Sequence, residues 1–187
     1  TFHKLLIANR GEIACRIIKT AHEMGITCVA VYTEADSRSP FVKMADEAVK
    51  LSDTYLNGKE IIEAAKQTGA EAIHPGYGFL SENAKFSRDV LKAGLIWVGP
   101  SSKVITSMGD KLKAKDIAEK ADVPTLPMTT DPKKANTIGY PILIKAAAGG
   151  GGKGMRIVES KKDLNESIAG AQREAKTGFG DDRVFIE

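Results

Sequence analysis

The chain has 187 residues, 42% hydrophobic and 27% charged, with a formal net charge of +3 at neutral pH. This is an ordinary globular composition, with enough apolar content for one large domain or two small ones. Residues 1–100 carry 12 basic against 12 acidic side chains and residues 101–187 carry 15 against 12. That excess is too small for the basic stripe a nucleic-acid binder needs, though it suits a phosphate-binding second half. No apolar run approaches the roughly 20 residues of a membrane span, so neither nucleic acid nor membrane is expected as a partner. Cys15 falls in a helical pattern and Cys28 in a strand pattern, which makes both small core residues rather than a disulfide or a metal pair and implies a reducing compartment. The first seven residues enter a strand directly, without a signal-peptide layout. The chain lacks an initiator Met and stops on Glu187 inside a strand pattern, as a processed or truncated piece would.

In chain order, the first 100 residues alternate strand and helix. A buried strand is predicted over residues 5–8 and a helix over 12–24, with Ile13, Ile17 and Ala21 on one face and Gly25 where a helix ends. Strands follow near 27–32, 48–51, 70–73 and 95–98, with helices near 59–67 and 84–93. The fold class is α/β, a Rossmann-like doubly wound parallel sheet followed by a small α+β unit. Functional groups gather at the carboxyl ends of such strands, here Ala8-Asn9-Arg10-Gly11-Glu12, the stretch from His74 to Glu82, and Gly99-Pro100. Two helical segments near 101–108 and 111–121 lead to a proline-marked connector, Val123-Pro124-Thr125-Leu126-Pro127, where the domain boundary is expected. Beyond it come a short helix near 132–137, a strand, a glycine loop, a second strand, a helix near 161–176 and a strand from Arg183.

The glycine loop is the sharpest chemical signal. Residues 145–155 read KAAAGGGGKGM, four consecutive glycines after a strand-forming run. Glycine is the costliest residue to order, so four together imply backbone that must come very close to something. Converging amide N–H groups, with Lys145 and Lys153 adding charge, would suit a phosphate chain. A P-loop is excluded, because its first glycine would fall on Ala147 and its hydroxyl position on Gly154. A dinucleotide fingerprint is excluded as well, because the first strand leads into a segment with the single glycine Gly11. Residues 155–158 read as strand, so the loop is the tip of a hairpin over a nucleotide.

Other residues admit two readings. His74 could ligate a metal or act as a base, but without a Cys/His cluster at zinc spacing it reads as a hydrogen-bonded histidine in a turn fixed by Pro75, Gly76 and Gly78. Tyr77 and Glu82 could face a substrate, or Ser81 and Glu82 could cap the next helix. Arg10 and Glu12 could pair with each other or cap the first helix. Lys111 is a surface lysine by default, placed where it could reach a phosphate. Lys145 ends an apolar strand, where desolvation calls for an anionic partner.

Four motifs, ANRGEIACRI (8–17), HPGYGFLSENA (74–84), MGDK (108–111) and KAAAGGGGKGMR (145–156), occur in that order. Together they closely resemble the N-terminal part of biotin carboxylase, the ATP-grasp component of acetyl-CoA, propionyl-CoA, methylcrotonyl-CoA and pyruvate carboxylases. Ala147 departs from the serine common in that family. The resemblance implies a biotin carboxylase N-terminal domain over 1–112, a linker over 113–129 and an ATP-grasp lid over 130–187. It implies ATP contacts at Lys111, Lys145, Gly151, Gly152, Met155 (adenine) and Glu187 (hinge), and places Tyr77 and Gly78 near the bicarbonate and biotin pocket. The implied reaction phosphorylates bicarbonate with MgATP and carboxylates biotin on a carrier domain. The Mg2+ ligands and the remaining catalytic groups are expected beyond Glu187, so no metal ligand or catalytic residue is assigned here and the 187 residues alone should not turn over. Implied partners are a biotin carboxyl carrier domain, a carboxyltransferase component and a homodimer or larger oligomer. The implied location is the cytoplasm, or the mitochondrial matrix in a eukaryote. Alternatives are a noncatalytic nucleotide-binding or assembly module and another ATP-grasp ligase such as carbamoyl phosphate synthetase.

Overall fold

The structure is a computed structural model and describes residues 1–149, 152 and 154–187. The chain divides into two compact units, Thr1–Thr106 and Ser107–Glu187. In the first, strands β1 (Lys4–Ile7), β2 (Thr27–Tyr32), β3 (Glu47–Lys50), β4 (Ala72–His74) and β5 (Ile96–Trp97) form one parallel sheet in the order β3-β2-β1-β4-β5. Parallel strands need crossover helices, which cover both faces of the sheet, so the central strands are apolar throughout rather than alternating. Leu6 and Val29 join Ile61, Phe86 and Val90 of helices α3 (Gly58–Thr68) and α4 (Ala84–Lys92) in one core cluster. Leu5, Ile7, Cys28 and Ala30 join Ala14 and Ile18 of α1 (Gly11–Glu23) and Phe41 of α2 (Pro40–Met44) in the other.

Helix starts follow side-chain chemistry. Asn57 and Asn83 cap α3 and α4, accepting the N–H groups of Glu60 and Phe86 at 3.3 and 2.9 Å. Asn83, and not Ser81 or Glu82, therefore caps α4, because its oxygen lies at the true helix boundary. The short α2 went unpredicted; five residues are too few for a periodic signal, although Pro40 at its first turn and the buried Phe41 mark it. Among the described residues no helix is long and apolar enough to cross a membrane.

The second unit begins with helices α5 (Ser102–Met108, which straddles the division) and α6 (Lys111–Lys120). After α7 (Ala135–Ile138), strands β6 (Ile142–Ala146), β7 (Arg156–Val158) and β8 (Val184–Ile186) form an antiparallel sheet in the order β7-β6-β8. The burial of β6 alternates, with Ile142, Ile144 and Ala146 buried and Leu143 and Lys145 only partly so. The inward set packs with Leu164 and Ala171 of α8 (Leu164–Phe179), Val158 and Ile186.

Candidate functional site

The alternation that buries Ile144 and Ala146 leaves Lys145 on the other face of β6, its side chain 27% exposed. Register sets Lys145 opposite Phe185, and the next strand residues bring up Glu187. Lys145 Nζ donates to Glu187 Oε1. Lys115, from the second turn of α6, donates to Glu187 Oε2 at 2.6 Å and to the Leu126 carbonyl at 3.1 Å. The carboxylate is only 9% exposed. Burial alone would raise its pKa, but bonds and charge from the two lysines outweigh that and hold it below the usual glutamate range. Two cations thus share one anion at the foot of the glycine loop.

Lys111 opens α6, its N–H donating to the Ala147 carbonyl at 3.1 Å and its Nζ to the Gly149 carbonyl. Asp110 caps the helix, accepting from the N–H groups of Leu112 and Lys113 at 3.0 and 3.1 Å. It also accepts from Arg183 at 3.0 Å, which ties the start of α6 to the entry of β8. Lys115 was missed in the sequence; it lies one helical turn after Lys111 at i+4, the spacing that places two residues on one helix face.

The described glycines of the loop have different reasons to be glycine. Gly149 (φ 81°) could not carry a Cβ without placing it 2.2 Å from the Phe179 ring. Gly154 (φ 73°) packs against Ala146, a Cβ there lying 3.2 Å away. Gly152 (φ 78°) has, among the described residues, only the Met155 sulfur within 4 Å of where a Cβ would stand, at 3.9 Å, so its left-handed backbone is the reason for glycine there. Met155 is 44% exposed. Gly151 and Lys153 lie outside the described residues.

In the first unit, β1 and β4 are neighbours and their carboxyl ends meet. Asn9, 2% exposed, donates from Nδ2 to the carbonyls of Pro75 and Tyr77, each at 2.7 Å. Arg10 and Glu12 do not pair with each other. Arg10 reaches the buried Asp36 with two nitrogens at 2.5 Å, and Tyr55 donates its hydroxyl to the same carboxylate at 2.6 Å. The bonds from Arg10, aided by Tyr55 against the opposing effect of burial, pull Asp36 down to about 2. Glu12 instead accepts the hydroxyl of Tyr77, which is 59% exposed. His74 Nδ1 accepts the Gly76 N–H at 3.0 Å, and burial lowers the ring's pKa, so the imidazole is neutral near pH 7. Gly76 and Gly78 have φ of 64° and 67°, as the turn requires.

A parallel α/β unit followed by an antiparallel unit with a lysine-flanked glycine loop defines a class, and comparison with known proteins agrees with it. Residues 1–105 match the family model "Biotin carboxylase, N-terminal domain" and residues 110–187 match "Carbamoyl-phosphate synthase L chain, ATP binding domain". The chain belongs to the biotin carboxylase family. It is 49% identical over 199 aligned residues to the propionyl-CoA carboxylase alpha chain of Ruegeria pomeroyi, covering 100% of this chain and 29% of that one. It is 51% identical over 197 residues to the mitochondrial methylcrotonoyl-CoA carboxylase subunit alpha of Dictyostelium discoideum, covering 98% and 28%. The chain therefore spans less than a third of the length of these curated relatives. Among solved structures, a biotin carboxylase-beta-gamma-ATP complex from Campylobacter jejuni has a TM-score of 0.95 at 43% identity, covering 100% of this chain and 45% of that one. The biotin carboxylase domain dimer of Hydrogenobacter thermophilus 2-oxoglutarate carboxylase, in complex with MgADP, ADP and bicarbonate, has a TM-score of 0.92 at 46% identity, covering 100% and 44%.

Proposed function

We propose that the chain is the N-terminal portion of the biotin carboxylase component of a biotin-dependent carboxylase and that its second unit binds ATP. The observation that carries this reading is the convergence of Lys145 and Lys115 on Glu187 where β6 enters the glycine loop. A half-buried lysine needs an anion. Glu187 supplies one in the absence of nucleotide, and a phosphate group can replace it for Lys145 while Lys115 keeps the carboxylate in place. Lys111, at the N-terminus of α6, adds a second cation for the phosphates. Gly152 is assigned a main-chain N–H contact to the phosphates, Gly151 carries the same assignment from the sequence alone, and Met155 is assigned to the adenine.

In the proposed reaction a bicarbonate oxygen attacks the γ-phosphorus, the bond to ADP breaks, and carboxyphosphate forms. Its carboxyl carbon then bonds to a ureido nitrogen of biotin on a carrier domain as its bond to the phosphate oxygen breaks, and the released phosphate takes up the proton lost from that nitrogen. Charge spreads over the phosphoryl oxygens in the first step, and fixed cations stabilise it without reorganisation. Tyr77 and Gly78 are assigned to the bicarbonate and biotin side. The hard, all-oxygen ligand set that Mg2+ requires is not met among the described residues: Glu187 is taken by two lysines, and the one cluster of potential metal-binding groups contains His22 and Cys28. The partners follow from the same reading: a biotin carboxyl carrier domain, a carboxyltransferase component and a second copy of the biotin carboxylase.

Calorimetric titration of ATP into the chain tests the assignment. Saturable binding that weakens on Lys145→Ala is expected, and absence of binding by the wild-type chain overturns it. If nucleotide binds but a full-length relative carrying Lys145→Ala keeps normal biotin-dependent ATP cleavage, the noncatalytic module is the better reading.

A further inference from the structure

At the edge of the parallel sheet opposite the Asn9 and His74 loops, three donors of different kinds meet. His22 lies in the last turn of α1, Cys28 is the second residue of β2, and Asp46 immediately precedes β3. His22 Nε2, Cys28 Sγ and a carboxylate oxygen of Asp46 all lie within 4.8 Å of one another. The arrangement is held by the backbone. Asp46 N–H donates to the Cys28 carbonyl at 3.0 Å, and Asp46 Oδ2 accepts both the Cys28 N–H at 2.7 Å and a contact from His22 Nε2 at 2.8 Å. A cleft of about 270 Å³ lined by His22, Gly25, Ile26, Thr27 and Asp46 opens on the outer side of the cluster and gives access to the His22 and Asp46 ligand atoms, with Cys28 fully buried behind them.

We propose that His22, Cys28 and Asp46 form a binding site for a zinc-type divalent cation, with water as the fourth ligand. One imidazole nitrogen, one thiolate and one carboxylate are the ligand types zinc takes, and they are poorly suited to Mg2+ or Ca2+. Tetrahedral bonds of about 2.0–2.3 Å put ligand atoms about 3.3–3.7 Å apart, so the donors need shifts of about 1 Å. His22, 40% exposed, has room to make them. On binding, the Cys28 S–H proton leaves to solvent and the thiolate bonds to the metal. The +2 ion is then matched by one thiolate and one carboxylate, so the buried sulfur sits in a neutral site and carries no uncompensated charge. The site would staple the end of α1 to the starts of β2 and β3. It is separate from the nucleotide reading, and its residues are too irregularly spaced for any zinc motif; Cys28 keeps the core packing expected of it and would take on this role in addition.

The test is titration of Co2+, then Zn2+, into the reduced, metal-stripped 187-residue chain. One equivalent of Co2+ should give a thiolate-to-cobalt charge-transfer absorption that Zn2+ abolishes. H22N and D46N should each weaken binding at least about tenfold. C28S should remove the band and C15S should keep it. Zn2+ should raise the melting midpoint of the wild type and not that of H22N, a surface substitution whose folding is verified by circular dichroism. No band in the wild type, a band that survives C28S, or binding unchanged in folded H22N overturns the proposal.

Discussion

The two candidate regions treat their charged groups in opposite ways. At the β1 and β4 ends of the first unit, Asn9, Arg10 and Asp36 are each satisfied by partners that geometry fixes, and Asp36 is closed in by a forked guanidinium and a phenol. At the foot of the glycine loop, Lys145 and Lys115 share one carboxylate, and the ammonium of Lys111 donates to a main-chain carbonyl. The first is a frame whose charges cancel internally. The second holds three lysines around one carboxylate, the charge balance that the proposed ATP site calls for.

The sharpest way to break this contrast is at Gly149. A methyl there must displace the Phe179 ring and occupy a left-handed backbone conformation, so Gly149→Ala should cost about 2–4 kcal/mol, read from urea melts of the chain. Lys145→Ala comes next. Losing a charge-assisted contact to phosphate should weaken ATP binding about 10- to 100-fold in calorimetry, with Lys115 still holding Glu187. In the frame region, Asp36 has its carboxyl depressed to about 2. A depressed carboxyl contributes stability that is present above its unfolded value near 4 and is lost as pH falls through about 2. Stability should therefore drop by about 1–2 kcal/mol across that window in the wild type and stay flatter in Asp36→Asn, followed by denaturant midpoints at stepped pH. The smallest effect belongs to Tyr77→Phe. Its hydroxyl contact with Glu12 is on the surface, so the melting midpoint should not move; under the proposed function any effect appears as a raised KM for bicarbonate or biotin in a full-length relative.

Much of this was legible in the residues. The parallel sheet could be read because β1 and β2 are continuous apolar runs, and α1, α3 and α4 have strong periodicity. Lys145 could be read because it interrupts an apolar strand. What could not be read depends on distant partners. Arg10 sits two residues from Glu12, yet it finds Asp36 because the extended N-terminal cap of α1 points it there. Lys115 became visible only when β8 delivered Glu187, a pairing across 72 positions. Nor does a glycine-rich loop announce that one of its glycines lies against a phenylalanine and another against an alanine.

Asn9 lies across two carbonyls of the segment after β4, and a side chain on Gly76 would fall 2.6 Å from its amide nitrogen. A side chain at Gly76 would have to displace Asn9, and removing the Asn9 amide would take its donor from both carbonyls. Two segments 66 positions apart are thus latched together, and a change on either side is felt on the other.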